Sequence, residues 1–157
     1  MVKHINSDTN GPILELGPGT GSFTRALLRQ GISEKQLVLV EQSQEFVQLL
    51  KIFFPKATIV CKDARQVAQL SDELGIKKFD EIVSGLPLNA MKHEPRRVIC
   101  NESFNLLKPE GSFVQVSYFP RCSIPNDVII KHSAEKMFCG VTLANIPPAF
   151  VWRAQKR

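Results

Sequence analysis

Glu15-Leu16-Gly17-Pro18-Gly19-Thr20-Gly21 sets three glycines in five positions between a strand-like run and a helix-like one. Backbone that bare lets a ligand lie against main chain beside a helix N-terminus, in dihedrals that side chains would forbid. A carboxylate follows at Glu41, 20 residues beyond Gly21 and at the end of the next apolar run. Its two oxygens suit the paired hydroxyls of a ribose. Asp63-Ala64 ends the third such run, where an acid can receive an adenine amino group. Together the three positions describe a pocket for an adenosine-containing molecule. The glycine loop alone would equally fit a tight strand-to-helix turn.

Two other glycine-loop chemistries fail on spacing. A nicotinamide dinucleotide loop wants glycines at relative positions 1, 3 and 6, whereas here Ser22 takes the sixth place and Pro18 stiffens the turn. A phosphate-cradling P-loop needs Gly-Lys-Ser/Thr, which is absent. Metal chemistry lacks ligands at useful spacing. Cys61, Cys100, Cys122 and Cys139 stand 39, 22 and 17 residues apart, and His4, His93 and His132 make no metal-site pair. No metal is expected, and the cysteines read as reduced thiols of a cytosolic protein.

The elements that must hold these residues alternate. "PILEL" (12–16) is a strand, and Phe23, Ala26 and Leu27 make a helical stripe stopped at Gly31. "QLVLVEQ" (36–42) is the second strand, followed by a helix with Phe46, Leu49, Leu50 and Phe53 on one face and Pro55 at its end. "ATIVC" (57–61), a helix near 64–74 and "FDEIVSGLPL" (79–88) repeat the unit. Val98, Ile99, Leu106 and Leu107 suit a helix ending at "KPEG", and "GSFVQVSYF" (111–119) is a fifth strand. Such alternation implies a parallel sheet with helices on both faces. The tail, 138–157, has two β-rich runs broken at Pro147 and Pro148, so an antiparallel hairpin is expected to close the sheet, with Phe150 and Trp152 in its core.

At 157 residues and 43% hydrophobic content, one domain is expected. The net charge of +5 is uneven: residues 1–86 hold ten basic and ten acidic side chains, residues 87–157 ten and five. That excess is either a solubilising surface or a face for an anionic partner. No apolar run approaches a membrane span, and the N-terminus lacks a signal core.

"LELGPGTG", Glu41 and "KDA" (62–64) resemble the class I S-adenosylmethionine-dependent methyltransferases. The resemblance implies an α/β, Rossmann-like sheet of seven mostly parallel strands with an antiparallel C-terminal hairpin. It implies S-adenosyl-L-methionine as cofactor, with Gly17, Gly19 and Gly21 along its methionine part and Pro18 within the same loop. By the same likeness Glu41, with Gln42 beside it, holds the ribose, and Asp63 and Ala64 frame the adenine. Glu15 acts through water or on the methionine ammonium, and Ser84 at the fourth strand end is counted with them.

The acceptor is read from "VSGLPLNAM" (83–91). Base-amine methyltransferases place Asn or Asp first in this loop and an aromatic last, to hold the amine and stack on the base. Here those positions are Gly85 and Leu88. What stays open is an amine taken by main-chain carbonyls of Gly85, Leu86 and Pro87, with Tyr118 at the fifth strand end touching the amine or a phosphate. Lys92, Arg96 and Arg97 are either phosphate ligands or a solvated helix face. "GPGTGSFTRALL", "SGLPL", "QVSYFP" and "NIPPAFVW" resemble the bacterial phospholipid N-methyltransferases. That resemblance implies methylation of phosphatidylethanolamine toward phosphatidylcholine by a cytoplasmic protein, peripheral at the inner face of an anionic membrane. It also implies an amphipathic segment ahead of the glycine strand, of which "MVKHINSDTNG" reads as the end. The alternatives are a ribosomal RNA adenine N6-dimethyltransferase-like enzyme, the one reading with a nucleic-acid partner, and a non-catalytic cofactor-binding domain.

Overall fold

A computed structural model describes residues 9–142 and 149–157. The chain runs β1 (Ile13–Leu16), α1 (Ser22–Arg29), β2 (Leu37–Glu41), α2 (Gln44–Phe53), β3 (Thr58–Cys61) and α3 (Val67–Leu74). It continues through β4 (Phe79–Ser84), α4 (His93–Leu106), β5 (Leu107–Ser117), α5 (Asn126–Lys131), β6 (Ala134–Thr142) and β7 (Ala149–Lys156). One seven-stranded sheet results, in the order β3-β2-β1-β4-β5-β7-β6. The strands from β3 to β5 pair in parallel, while β7 is antiparallel to both β5 and β6.

Residue alternation explains the two cores. On one face Ile13, Leu39 and Val83 pack with Leu27 of α1 and with Leu50 and Phe54 of α2 and its cap. On the other, Leu14, Val38, Ile82 and Phe113 meet Val67 and Leu70 of α3, Ile99 and Phe104 of α4 and Val128 of α5. Strands apolar at consecutive positions, such as Leu37 to Val40, are those with helices on both sides. The order of strands reverses at β1 and β4, the switch point beyond whose carboxyl ends a ligand crevice opens.

Several expectations change. The buried face of α2 is Val47 and Leu50, continued by Phe54, whereas Phe53 is exposed with Arg25 5.1 Å from its ring centre. Helix α4 ends before Leu107, which turns extended (ψ 142) and starts β5, so "KPEG" lies within that strand. The C-terminal pair begins at Ala134, preceded by the six-residue α5. Buried positions of β7 are Ala149, Val151 and Ala154; Phe150 and Trp152 are only half-buried and lie against Phe138, with centroids at 6.5 and 5.1 Å. Pro147, Pro148, His4 and the segment 1–8 lie outside the described residues.

Candidate functional site

Four strand ends converge on a cavity of about 470 Å³ lined by Gly17, Glu41, Gln42, Asp63, Ala64, Gly85, Leu86 and Pro87. Val40, Lys62, Arg65, Met91, Pro95 and Ile99 complete the wall. Its size lies within the roughly 300–1,000 Å³ of small-molecule sites. Of the positions read from the sequence, eight meet here; Glu15, Pro18, Gly19, Gly21, Ser84 and Tyr118 do not line it.

Glu41 is the joint of the site. Its Oε2 accepts from the Gly19 N–H at 3.0 Å and its Oε1 from the Ser43 N–H at 2.9 Å, so one carboxylate ties the glycine loop to the N-terminus of α2. Each oxygen keeps a lone-pair direction for a hydroxyl donor. Ser43 caps α2 by accepting from Phe46 N–H.

Asp63, expected to receive an adenine amino group, lines the cavity and is also engaged within the chain. Its carboxylate accepts from Arg65 Nε and, at 2.6 Å, Nη2, and caps a short 3₁₀ turn through Arg65 N–H. The hydrogen bond from Arg65 holds its carboxyl below the usual carboxylate range. Arg65 is a cavity residue that sequence spacing did not mark.

Glu15 lies beneath the loop, fully buried. Oε2 accepts from Thr24 Oγ1 at 2.8 Å, whereas Oε1 has no hydrogen-bond partner. Burial pushes its carboxyl up to about 7. An orphaned buried acceptor behind an open glycine loop fits a cationic or hydrogen-bonding ligand group reached through water. Ser84, also buried, accepts from Leu86 N–H at 3.3 Å and so shapes the next loop.

That loop has little freedom. Leu86 C=O accepts from both Leu88 N–H and Gln115 Nε2, and Pro87 C=O from Ala90 N–H, which leaves Gly85 C=O as the carbonyl the loop itself does not engage. A Cβ at Gly85 would sit 3.0 Å from Gly17 O and 3.1 Å from the Phe23 ring, so an Asn or Asp there would force the glycine loop to shift. Leu88, where a stacking aromatic would stand, is 1% exposed in the core. Asn89 Nδ2 donates to Ser117 Oγ at 2.8 Å, pinning the loop to β5; neither Gln115 nor Asn89 was marked by the sequence. Tyr118 is 58% exposed and does not line the cavity.

A family model described as "Methyltransferase domain" matches residues 13–111, more than half of the chain. The chain belongs to the methyltransferase domain family. It is a class I methyltransferase with S-adenosylmethionine as its cofactor, and the seven-stranded sheet is the fold of that class. Among curated relatives, the methyltransferase is 26% identical over 155 residues to the ornithine lipid N-methyltransferase of Singulisphaera acidiphila, covering 94% of this chain and 77% of that protein. It is 29% identical over 89 residues to the ribosomal RNA small subunit methyltransferase A of a Hydrogenobaculum species, covering 57% of this chain and 32% of that one. The chain thus spans about a third of that RNA relative. In structure it resembles the N-methyltransferase NodS of Bradyrhizobium japonicum in complex with S-adenosyl-L-homocysteine: TM-score 0.67, 18% identity, 93% of this chain and 78% of that one.

Two glycines of the loop are bare for different reasons, and their variants separate the reasons. Gly21 has φ 81, and a Cβ there would lie 2.5 Å from Phe54 Cε2, inside the core. Gly21→Ala is expected to cost about 3 kcal/mol from left-handed strain plus overpacking, roughly 6–12 °C in Tm. Gly19 has φ 54 with nothing within 4 Å of an added Cβ. Gly19→Ala is expected to cost only about 1 kcal/mol while obstructing the loop's ligand face. Thermal melts and cofactor titrations of both variants check this.

Proposed function

We propose that this methyltransferase acts on the primary amine of a lipid headgroup, phosphatidylethanolamine toward phosphatidylcholine, at the inner, anionic face of a bacterial membrane. The carrying observation is the acceptor wall. Gly85 offers a main-chain carbonyl to a cavity whose lining includes the apolar Leu86, Met91, Pro95 and Ile99, and neither Gly85 nor buried Leu88 supplies the amide or aromatic a base would need. Similarity across nearly the whole chain to an ornithine lipid N-methyltransferase supports the class of acceptor. Exposed Tyr118 and Phe119 beside the β5 exit, and the basic excess of residues 87–157, suit an interfacial anionic surface.

In the same proposal Gly17, Pro18, Gly19 and Gly21 form the bed for the methionine part of the cofactor, with Glu15 acting on its ammonium through water. Glu41 and Gln42 hold the ribose, Asp63 and Ala64 border the adenine, and Ser84 fixes the acceptor loop. S-adenosylmethionine, when bound, supplies an electrophilic methyl on a sulfonium. The chain's task is to present a neutral amine to it. A headgroup amine near the lysine value of ~10.4 must give up roughly 4–5 kcal/mol to expose its lone pair at pH 7. Desolvation by Met91, Pro95 and Ile99 lowers that pKa, and Gly85 C=O accepts one amine N–H and aims the lone pair. Positioning contributes further, at an effective molarity on the order of 10⁵ M. No side-chain base is required.

The test offers labelled S-adenosylmethionine with mixed anionic and ethanolamine-lipid vesicles, with ornithine-lipid vesicles and with ribosomal RNA. Label in the ethanolamine lipid is expected. Label in RNA alone, lost steeply as salt rises, would install the adenine dimethyltransferase reading. Bound cofactor with no turnover on any amine would leave a non-catalytic domain.

A further inference from the structure

The first turn of α4 separates two cavities. Pro95 and Ile99 face the cofactor cavity, whereas His93 and Arg96, three residues apart on another side of the helix, face a second cleft of about 390 Å³. Its far wall is the segment from Cys122 to Asp127 that follows β5. Both cavities therefore open where the chain leaves the carboxyl ends of β4 and β5.

Arg96 is a cation of this turn with no ion pair among the described residues. Arg97 is paired to Glu94 at 2.9 Å, but Arg96 has no carboxylate within salt-bridge distance among the described residues, and its Nε has no hydrogen-bond partner. Across the cleft Ser123 is 2% exposed and its hydroxyl is also without a partner. Polar groups left this way in a protein interior cost free energy that a ligand can recover. Asp127 lines the same cleft, so a dianion is repelled about twice as strongly as a monoanion.

We propose that this cleft is the anion subsite of the acceptor. Arg96, with the Ser123 hydroxyl, takes the single negative charge of the headgroup, a phosphodiester or a carboxylate, while the amine of the same headgroup is held at Gly85. The inference rests on the lipid-amine reading and gives it a second contact. Guanidinium recognition of such oxyanions is bidentate, so lysine is no substitute at this position.

The experiment compares methyl transfer to phosphatidylethanolamine, ornithine lipid and an anion-free long-chain alkylamine, each in the same vesicles, for the full chain and for Arg96→Gln. The unaltered protein is expected to prefer the zwitterionic lipids at least tenfold in kcat/KM. Arg96→Gln is expected to erase that preference through KM, with cofactor affinity unchanged, and Ser123→Ala to move KM the same way by a few-fold. Loss confined to one zwitterionic lipid tells a phosphodiester from a carboxylate. A preference that survives in Arg96→Gln overturns the subsite. If no lipid is methylated, the lipid-amine reading fails by itself, and the subsite is judged by titrating glycerophosphoethanolamine, a monoanionic phosphodiester, and inorganic phosphate. Millimolar glycerophosphoethanolamine should then shift the Ser123 and Ile124 amide resonances, more than phosphate does, and not in Arg96→Gln; unmoved resonances overturn it.

Discussion

Glu41→Ala is expected to lower affinity for S-adenosyl-L-homocysteine about 100-fold, measured by calorimetry, with little change in Tm. The proposed ribose contacts are two hydrogen bonds to an ionised acceptor, each about 1.5 kcal/mol or more. Their loss, near 3 kcal/mol, is two decades of binding. The variant also releases the Gly19 and Ser43 N–H groups, which sit at the rim where water replaces the carboxylate. Glu41→Gln separates the two contributions. Its amide keeps one acceptor but turns two donors against either Gly19 or Ser43 N–H, so an intermediate loss, roughly tenfold, is expected. Affinity within threefold of the unaltered protein for Glu41→Ala would remove the ribose assignment.

What the sequence made legible was whatever local chemistry decides. Alternating runs marked β1 to β5, and the proline-broken tail marked the antiparallel pair, because a chain without room for a helix has no parallel way back. The glycine loop and Glu41 were readable because both sit at strand ends. Competition between distant groups was not readable. The stripe Phe46, Leu49, Leu50, Phe53 and the stripe Val47, Leu50, Phe54 are both helical, and the second is buried because Phe54 fills the space left by Gly21. Asp63 and Arg65 stand two apart, yet nothing in their spacing says that the guanidinium takes the carboxylate. Gln115 reaches Leu86 C=O across 29 residues and so removes one of three carbonyls that looked equivalent. Helix α5 has six residues and one buried apolar side chain, too little for a periodic signal.

Glu15 is expected to make the cofactor-free protein lose stability as pH rises from 4.5 to 7. Its folded carboxyl titrates at about 7 against 4.5 for the unperturbed group, because burial opposes the charged form more than Thr24 favours it. Below 4.5 both states hold the proton and nothing is lost. Between the two values the unfolded chain has released it while the native state has not, so the slope of stability with pH is negative. Above 7 both are ionised and the full cost, about 3 kcal/mol, stays. Glu15→Gln removes the titration. Whatever its absolute stability, the difference in unfolding free energy between Glu15→Gln and the unaltered protein should grow by about 3 kcal/mol from pH 4.5 to pH 8 in urea titrations. Binding gives the sign a second reading: a cationic ligand near Oε1 favours the ionised form, so cofactor binding near pH 6.5 should release a fraction of a proton. Calorimetry in buffers of different ionisation enthalpy measures that release, and it should vanish in Glu15→Gln. A parallel pH dependence in the two proteins would mean that Glu15 is ionised in the native state across this range, its charge met by a partner within the fold.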